Sequence, residues 1–488
     1  MLSLVSVLLP AVAIAYRTSP TDQFIYDDYN RVSFFHGDNF VQKGYPWYPE
    51  VLLNVDNIKE MKSWGFNTVR LGVMWSGVEP EMGVFNETYI EVINGILDDL
   101  KDHGFHTLID VHQDVLSSYF CEYDGAPTWL VDLSDTCINE FPSPLTWDET
   151  TDNKCDRPWG MNYLAEATGA AFQDLYDNRN GMRDHFGKFW AKIAASFKDR
   201  DELLGYEIIN EPWVGNHIKD PSLLLPGNAG AKSLQPFYDV IVNNIRENDP
   251  DTLIFYEPVT WGMILNGTVT GSGFTHVPGG DEYKDKSVFS FHYYCWWYTG
   301  EGQLEKVTCD NMFGAKVFDQ VDVDIKQLGG SAMLTEWGQG CEPYNGNDGE
   351  CDPIMNLADE HLVSWIEWYW TGHLMNGWDT DPISISTFSR TYAHSVAGIP
   401  TKMKFNSKSL DFELCYNVDT DITEPTVIYI NNEIHYINGV NVQISGEYAE
   451  YMHVEIGDIN SNTIEITSTP SDVVTNKNIC VYVSHRKV

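Results

Sequence analysis

The sequence predicts a (β/α)8 barrel followed by a C-terminal antiparallel β-sandwich domain, and three observations predict it. Amphipathic helical stretches alternate with short, continuously apolar runs. Polar side chains come directly after those runs, as they do where barrel strands end on a catalytic rim. Past Pro400 the helical period disappears and alternation at period two replaces it.

The helix–strand units are successive along the chain. In VLLNVDNIKEMKSWGFNTVRLGV a helix closes near Gly65 and a strand runs through Val69. In YIEVINGILDDLKDHGFHTLIDVHQD the break is at Gly104 and the strand spans Thr107 to Val111. HFGKFWAKIAASFKDRDELLGYEIINEP and LQPFYDVIVNNIRENDPDTLIFYEP repeat the pattern, as do KSVFSFHYY and FDQVDVDIKQLGGSAMLTEWGQ. Runs apolar on both faces suit a parallel sheet covered on both sides. No glycine-rich phosphate fingerprint comes after any of them, which argues against a nucleotide-binding sheet. The polar residues at their ends are Arg70, His112 and Asp114, Asn210 and Glu211, Glu257, His292 and Glu336. TVIYINNEIHYINGVNVQI and NTIEITS carry the later alternation, so the expected division is residues 16–400 for the barrel and 401–488 for the sandwich. The Pro-, Trp- and Cys-rich insert between Asp114 and Gly181 sits where loops shape a cleft.

Composition narrows the function. The chain has 488 residues, 43% hydrophobic and 21% charged, which suits a large folded core. Its net charge of -41 repels nucleic acid and anionic membranes, so no nucleic-acid partner is expected. The 16 Trp supply flat faces on which sugar rings stack. MLSLVSVLLPAVAIA ends in Ala13-Ile14-Ala15 and reads as a signal peptide occupying residues 1–15, hence a secreted protein, with a digestive or lysosome-like lumen as a compatible destination. Asn86 and Asn266 head sequons, expected to be glycosylated in a secreted chain. The nine Cys lack zinc spacing and fit disulfides better, with Cys295–Cys309, Cys341–Cys351 and Cys415–Cys480 as expected pairs and one thiol left over.

The strongest chemical signal is Asn210-Glu211-Pro212 together with Glu336 in LLTEWGQ. Cleaving a glycosidic bond needs a proton for the leaving oxygen and a partner for the oxocarbenium-like carbon. Two carboxyls about 5–5.5 Å apart supply both in a retaining enzyme. A barrel brings the ends of its fourth and seventh strands to one rim, making Glu211 the acid/base and Glu336 the nucleophile. Like-charge repulsion is expected to keep Glu211 protonated while Glu336 is ionised.

With Arg70 in NTVRLG, His112 in DVHQD, Asn210-Glu211, His292-Tyr293-Tyr294, Glu336, and Trp365 or Trp368 in SWIEWYW, the chain resembles glycoside hydrolase family 5 over about residues 30–400. The resemblance implies that Arg70 and Tyr294 hydrogen-bond the nucleophile, that Asn210 meets the sugar 2-hydroxyl, that His292 belongs to the site, and that one of the two Trp floors the sugar. It also implies that no metal or organic cofactor takes part. DVHQDVLSSYFCEYDGAPTWLV, FHGDNFVQK, GVEPEMGVFN, FYEP and RTYAHSVAGIP are similar to endoglycoceramidases. That implies a glycosphingolipid substrate cut between oligosaccharide and ceramide, with His112 and Asp114 on the innermost sugars. YYCWWY at 293–298 and the insert from Phe141 to Trp159 could line an apolar groove for ceramide. Contact with a membrane or micelle is then transient and hydrophobic. The alternatives are a β-glucosidase on glucosylceramide or steryl glucosides, a secreted endo-β-glucanase, and an inactive carbohydrate-binding relative.

Overall fold

The computed structural model describes residues 16–121, 125–134, 143–144, 159–259, 270–294, 313–338, 351–375, 379–458, 461–469 and 475–486. The expected signal peptide, Asn266, Cys295, Cys309, Cys341, residues 295–298 and nearly all of the insert from Phe141 to Trp159 lie outside the described residues.

Eight parallel strands close on themselves: β1 His36–Phe40, β2 Thr68–Gly72, β3 His106–Asp110, β4 Leu203–Glu207, β5 Leu253–Tyr256, β6 Ser287–Tyr293, β7 Ser331–Trp337 and β8 Ser364–Glu367. Strand β8 pairs in parallel with β1 and completes the ring. The main helices of the outer layer are α1 Val55–Ser63, α2 Glu87–Asp102, α3 Glu166–Tyr176, α4 Met182–Phe197, α5 Gln235–Arg246, α6 Ala315–Leu328 and α7 Cys351–His361. Their apolar stripes cover the outward side chains of the barrel, burying residues such as Ile93, Leu97, Phe189, Trp190, Phe237 and Ile241.

Local chemistry sets the ends of these elements. Asn54 and Asn86 cap α1 and α2, their Oδ1 atoms accepting from Asp56 N at 3.1 Å and Tyr89 N at 3.1 Å. Helix α1 stops two residues before Gly65, whose φ of +89° suits a residue without Cβ. A Cβ there would also meet the Tyr429 ring at 2.2 Å. At the N-terminal end of the barrel, Phe35, Leu108, Leu204, Leu253, Phe255, Val288, Met333 and Ile366 form a separate apolar plug, closed by Tyr16 and Ile25.

The C-terminal unit is a two-sheet antiparallel sandwich. Strands β10 Gly398–Asn406, β11 Asp411–Val418, β13 Val440–Ser445 and β16 Asn478–His485 form the four-stranded sheet. In the seven-stranded sheet, β9 Tyr392–Val396, β12 Thr426–Tyr429, β14 Met452–Ile456 and β15 Thr463–Ser468 join three short N-terminal strands, Arg17–Thr18, Ile25–Tyr26 and Val32–Ser33. The antiparallel strands thus begin before residue 401 and take in chain from the N-terminus. Met403, Phe405, Leu414, Ile428, Ile464 and Val481 fill the space between the sheets.

The sandwich is held on the barrel by specific contacts. Tyr392 donates to Gly65 O at 2.7 Å, and Tyr429 to Ser63 O at 3.0 Å. Arg390 Nη2 lies 2.6 Å from Asp359 on α7, and the same carboxylate accepts from Phe405 N at 3.3 Å.

Cys415 and Cys480 are directly opposed on β11 and β16 and form a disulfide, 65 residues apart in sequence. Cys121 and Cys351 each take part in a disulfide as well. Removing the Cys415–Cys480 bridge in a C415S/C480S variant is expected to cost about 2–4 kcal/mol, because the closed loop is long. Calorimetry of the oxidised wild type against the variant reads this out. No helix among the described residues is long and apolar enough to cross a membrane.

Candidate active site

Moving up the barrel from its apolar plug, the inward side chains become polar. Asn39 on β1, Arg70 on β2, Asp110 on β3, Glu207 on β4, Ser290 on β6 and Thr335 on β7 converge across the interior, all of them buried. The Arg70 guanidinium occupies the centre. Its Nε donates to Glu207. Its Nη1 reaches Asn39 Oδ1 at 2.9 Å and Glu336 Oε2 at 3.1 Å, and its Nη2 reaches Asn210 Oδ1 at 2.8 Å. Asp110 lies 3.2 Å from Nη2. Burial works against the charge, but Asp110, Glu207, Glu336 and Glu257 outweigh it and hold Arg70 firmly protonated. Glu207 also accepts from Ser290 Oγ and, at 3.0 Å, from Thr335 Oγ1.

Glu336 reaches this layer through a backbone irregularity. The register between β7 and β6 slips between Leu334 and Glu336, so Thr335 and Glu336 both contact groups of the barrel interior. A bulge of this kind re-aims one side chain beside a site. Tyr294 OH donates to Glu336 Oε1 at 2.8 Å, so both carboxylate oxygens have a donor.

Glu211, four residues beyond β4, has a φ of +40°, a left-handed conformation uncommon for a residue with a side chain. His292 Nδ1 lies 3.0 Å from Glu211 Oε1. Glu211, His292 and Glu336 each bring an atom within 4.8 Å of the others. The two glutamates expected from the sequence therefore each bring a carboxyl oxygen within 4.8 Å of the other, close enough to flank one glycosidic bond.

Their electrostatics separate the pair. Burial raises the Glu211 carboxyl to about 7; Asp114 adds to this, and His112, Arg70 and Lys43 oppose it. Burial also raises Glu336, with Glu211 adding repulsion and His292 and Arg70 opposing. The expected repulsion therefore acts on Glu336, whereas Glu211 owes its proton first to burial and then to Asp114. Two strong donors, Arg70 and Tyr294, favour the ionised form at Glu336, and Glu211 has no equivalent pair. Burial lowers His292 to about 4, so the imidazole between them is neutral near pH 7.

The remaining expected residues divide. Asn210 is in the site, its Oδ1 held by Arg70 and its Nδ2 donating to Gln113 O at 3.1 Å. His112 and Asp114 are there too. His112 Nδ1 meets Asp110 at 2.9 Å, and Asp114 pairs with Lys43. Burial opposes the charge on His112, yet Asp110 and Asp114 raise it to about 10. The Trp368 ring stacks on His112, centroids 5.1 Å apart and planes 12° apart, and Lys43 Nζ lies 5.4 Å from the same ring. Trp365 is a correction. It is fully buried, stacked on His36 at 4.2 Å and edge-on to Trp337 at 5.4 Å, in the layer outside the barrel. Alternation along β8 explains this, because Ile366 points into the plug and its neighbour Trp365 points away. The aromatic beside the site is Trp368.

Sequence reading passed over Asn39, Asp110, Glu207, Gln113 and Lys43. Asp110 and Glu207 were recoverable in part, as charged residues at the ends of otherwise apolar strands. Asn86, in the first sequon, is half-buried and serves as a helix cap.

Residues 28–374 match the model of the cellulase family, glycosyl hydrolase family 5, and residues 390–481 match the glycoside hydrolase family 5 C-terminal domain. The chain belongs to glycosyl hydrolase family 5. Among its curated relatives is the endoglycoceramidase of Hydra vulgaris, 34% identical over 456 residues that cover 88% of this chain and 83% of the relative. The endoglycoceramidase of Cyanea nozakii is 33% identical over 472 residues, covering 88% and 87%. In fold, the chain is similar to endo-glycoceramidase II from Rhodococcus sp. in its ganglioside GM3 complex, with a TM-score of 0.76 and 21% identity over 96% of this chain and 100% of that one. This family 5 chain is thus a glycosidase with the two-unit architecture of its relatives.

Among the described residues, four groups have the ligand spacing a cation could bridge: Glu211–His292–Glu336, Asp38–Glu367–His373, Glu207–Glu257–His292 and the disulfide-bearing Glu413–Cys415–Cys480. In the first, the protein's own groups already stand at these atoms, with Arg70 Nη1 3.1 Å from Glu336 and His292 Nδ1 3.0 Å from Glu211. In the second, His373 bridges Glu367 at 2.9 Å and Asp38 at 3.4 Å, and despite burial these carboxylates raise its pKa to about 10, so the imidazolium itself supplies the positive charge.

Proposed function

We propose that the protein is a retaining endoglycoceramidase. Glu336 is its nucleophile, and Glu211 its general acid and base. The observation that carries the reading is the Glu211–Glu336 pair with oxygens within 4.8 Å at one end of the barrel. Glu336 attacks the anomeric carbon of the reducing-end glucose as Glu211 protonates the departing ceramide oxygen. Water, deprotonated by Glu211, then displaces Glu336 from the glycosyl ester. Two inversions give retention.

His112, Asp114 and Asn210 hold the inner sugars, and Trp368 provides a flat face beside them. The exposed Tyr45 comes after β1 and the half-exposed Tyr369 after β8, two adjacent strands, so both rings belong to the rim above the site. They support brief, apolar contact with a membrane or micelle surface in a protein too acidic for electrostatic docking. Secretion into an oxidising compartment fits the apolar N-terminal run and the Cys415–Cys480 disulfide.

Chromatography of the products from ganglioside and glucosylceramide tests the reading. An intact oligosaccharide plus ceramide is expected; glucose released from glucosylceramide alone would overturn it in favour of a β-glucosidase.

The pH profile of kcat/KM depends on the two carboxyls. Glu211 works as an acid only while protonated, so activity is expected to fall as pH rises through about 7. Glu336 works only when ionised, so the acid limb is expected above the ordinary glutamate value, because burial raises it. A profile flat from pH 6 to 9 would contradict the assignment of Glu211.

A further inference from the structure

The candidate machinery leaves one buried carboxyl unused. Glu257 comes directly after β5 and is 2% exposed. Both of its carboxyl oxygens lie 3.3 Å from the peptide N of Glu211. Its Oε1 also lies 3.4 Å from His292 Nε2, and the opposite ring nitrogen of His292 meets Glu211 Oε1 at 3.0 Å. Glu257 therefore stands against Glu211 twice, once at its peptide N and once across the His292 ring, whose Nε2 it approaches at 3.4 Å without a formed hydrogen bond.

We propose that Glu257 is a positioning residue for the acid/base Glu211, holding its peptide N–H directly and its carboxyl through His292. The inference rests on Glu211 being the general acid and base. Two features make such a support necessary. Glu211 has a left-handed backbone, which persists only where its surroundings over-determine it. Its carboxyl must also keep one direction through both halves of the reaction, first giving a proton and then taking one. A group with two contact points supplies both.

The neighbours of Glu257 make the arrangement stable. Glu207 from β4, Asp110 from β3, Arg70 from β2, Glu211 and His292 face it, and from α5 Tyr238 donates to its main-chain O at 2.9 Å. Burial, with Glu207 repelling and Arg70 opposing, raises the Glu257 carboxyl well above its ordinary value. A protonated carboxyl keeps one oxygen free to accept from the Glu211 peptide and presents no second negative charge to Glu211.

Leaving-group dependence separates this role from a merely structural one. Lactosylceramide needs its departing oxygen protonated, whereas 2,4-dinitrophenyl β-lactoside does not. In E257L, the rate of ceramide release from lactosylceramide is expected to fall about 100-fold. The pre-steady-state burst of dinitrophenolate should stay close to wild type, and azide should accelerate the slow second step. E257Q keeps an acceptor for the Glu211 peptide. Its amide offers His292 Nε2 a donor as the protonated Glu257 carboxyl does, so the imidazole keeps the same tautomer toward Glu211. Its lactosylceramide rate and alkaline limb are therefore both expected close to wild type. Equal losses on both substrates in E257L, or an E257Q protein as slow as E257L on lactosylceramide, overturn the proposal. E211Q serves as the control. If E211Q cleaves lactosylceramide at the wild-type rate, the acid/base assignment itself fails and the role of Glu257 fails with it. If E211Q shows the leaving-group pattern and E257L does not, only the positioning role fails.

Discussion

E336Q is expected to lose ceramide release by on the order of 10⁵-fold, the scale seen when the nucleophile of a covalent mechanism is removed. The substitution is nearly isosteric. The amide oxygen can still accept from Arg70 or Tyr294, so folding should survive and the loss should lie in kcat. An amide nitrogen pointed at Arg70 would face a cation, so the carboxamide should turn its oxygen there. Intact-protein mass spectrometry with a 2-deoxy-2-fluoro lactoside provides the second measurement. Wild type should gain one glycosyl unit, located on the peptide carrying Glu336, and E336Q should gain none. Turnover at the wild-type rate in E336Q would end the assignment.

R70M is expected to have the largest effect on stability. Arg70 is fully buried and is shared by Glu207, Glu336, Asp110 and the Asn39 and Asn210 side chains. Removing the cation leaves several buried carboxyls without compensation. One such broken pair costs about 3–5 kcal/mol. Part of the cost disappears as a carboxyl takes up a proton, and Glu336 is among the candidates because it loses a donor. The acid limb of any remaining activity should therefore move to higher pH in R70M. R70K should restore part of the stability but little of the rate, since an ammonium cannot reproduce the forked contacts to Asn39, Glu207, Glu336 and Asn210. Calorimetry and a pH–rate profile of the two variants check this. An R70M protein with wild-type melting behaviour would show that the network is not held by its cation.

The residues most legible in sequence were those combining a chemical type with a position after an apolar run. Glu211, Glu336, Arg70, Asn210 and His292 all fall into this class, and the barrel brings them within hydrogen-bonding or ion-pairing reach of one another. The polar layer below them was legible only in part. Asn39 and Glu207 lie inside strands, and their chemistry arises from facing Arg70 across the barrel rather than from their neighbours in sequence. Trp365 and Trp368 illustrate the limit of type alone. Both are tryptophans of one short segment, and only the alternation of β8 sends one to the outer core and leaves the other beside His112. Lys43 and Asp114 are far apart in the chain and pair only because the segments after β1 and β3 meet above the rim.

By itself the sequence determined the alternation of strand and helix, the change to an antiparallel unit near Pro400, and the order of the two candidate glutamates, because hydrophobic period and residue type are properties of the chain read locally. Tertiary structure alone decided what keeps the proton on Glu211. That outcome depends on how deeply Glu211 and Glu336 are buried and on whether Asp114, Arg70 or Tyr294 stands beside each, and electrostatic interactions of this strength act only across a few ångströms that the closed barrel creates.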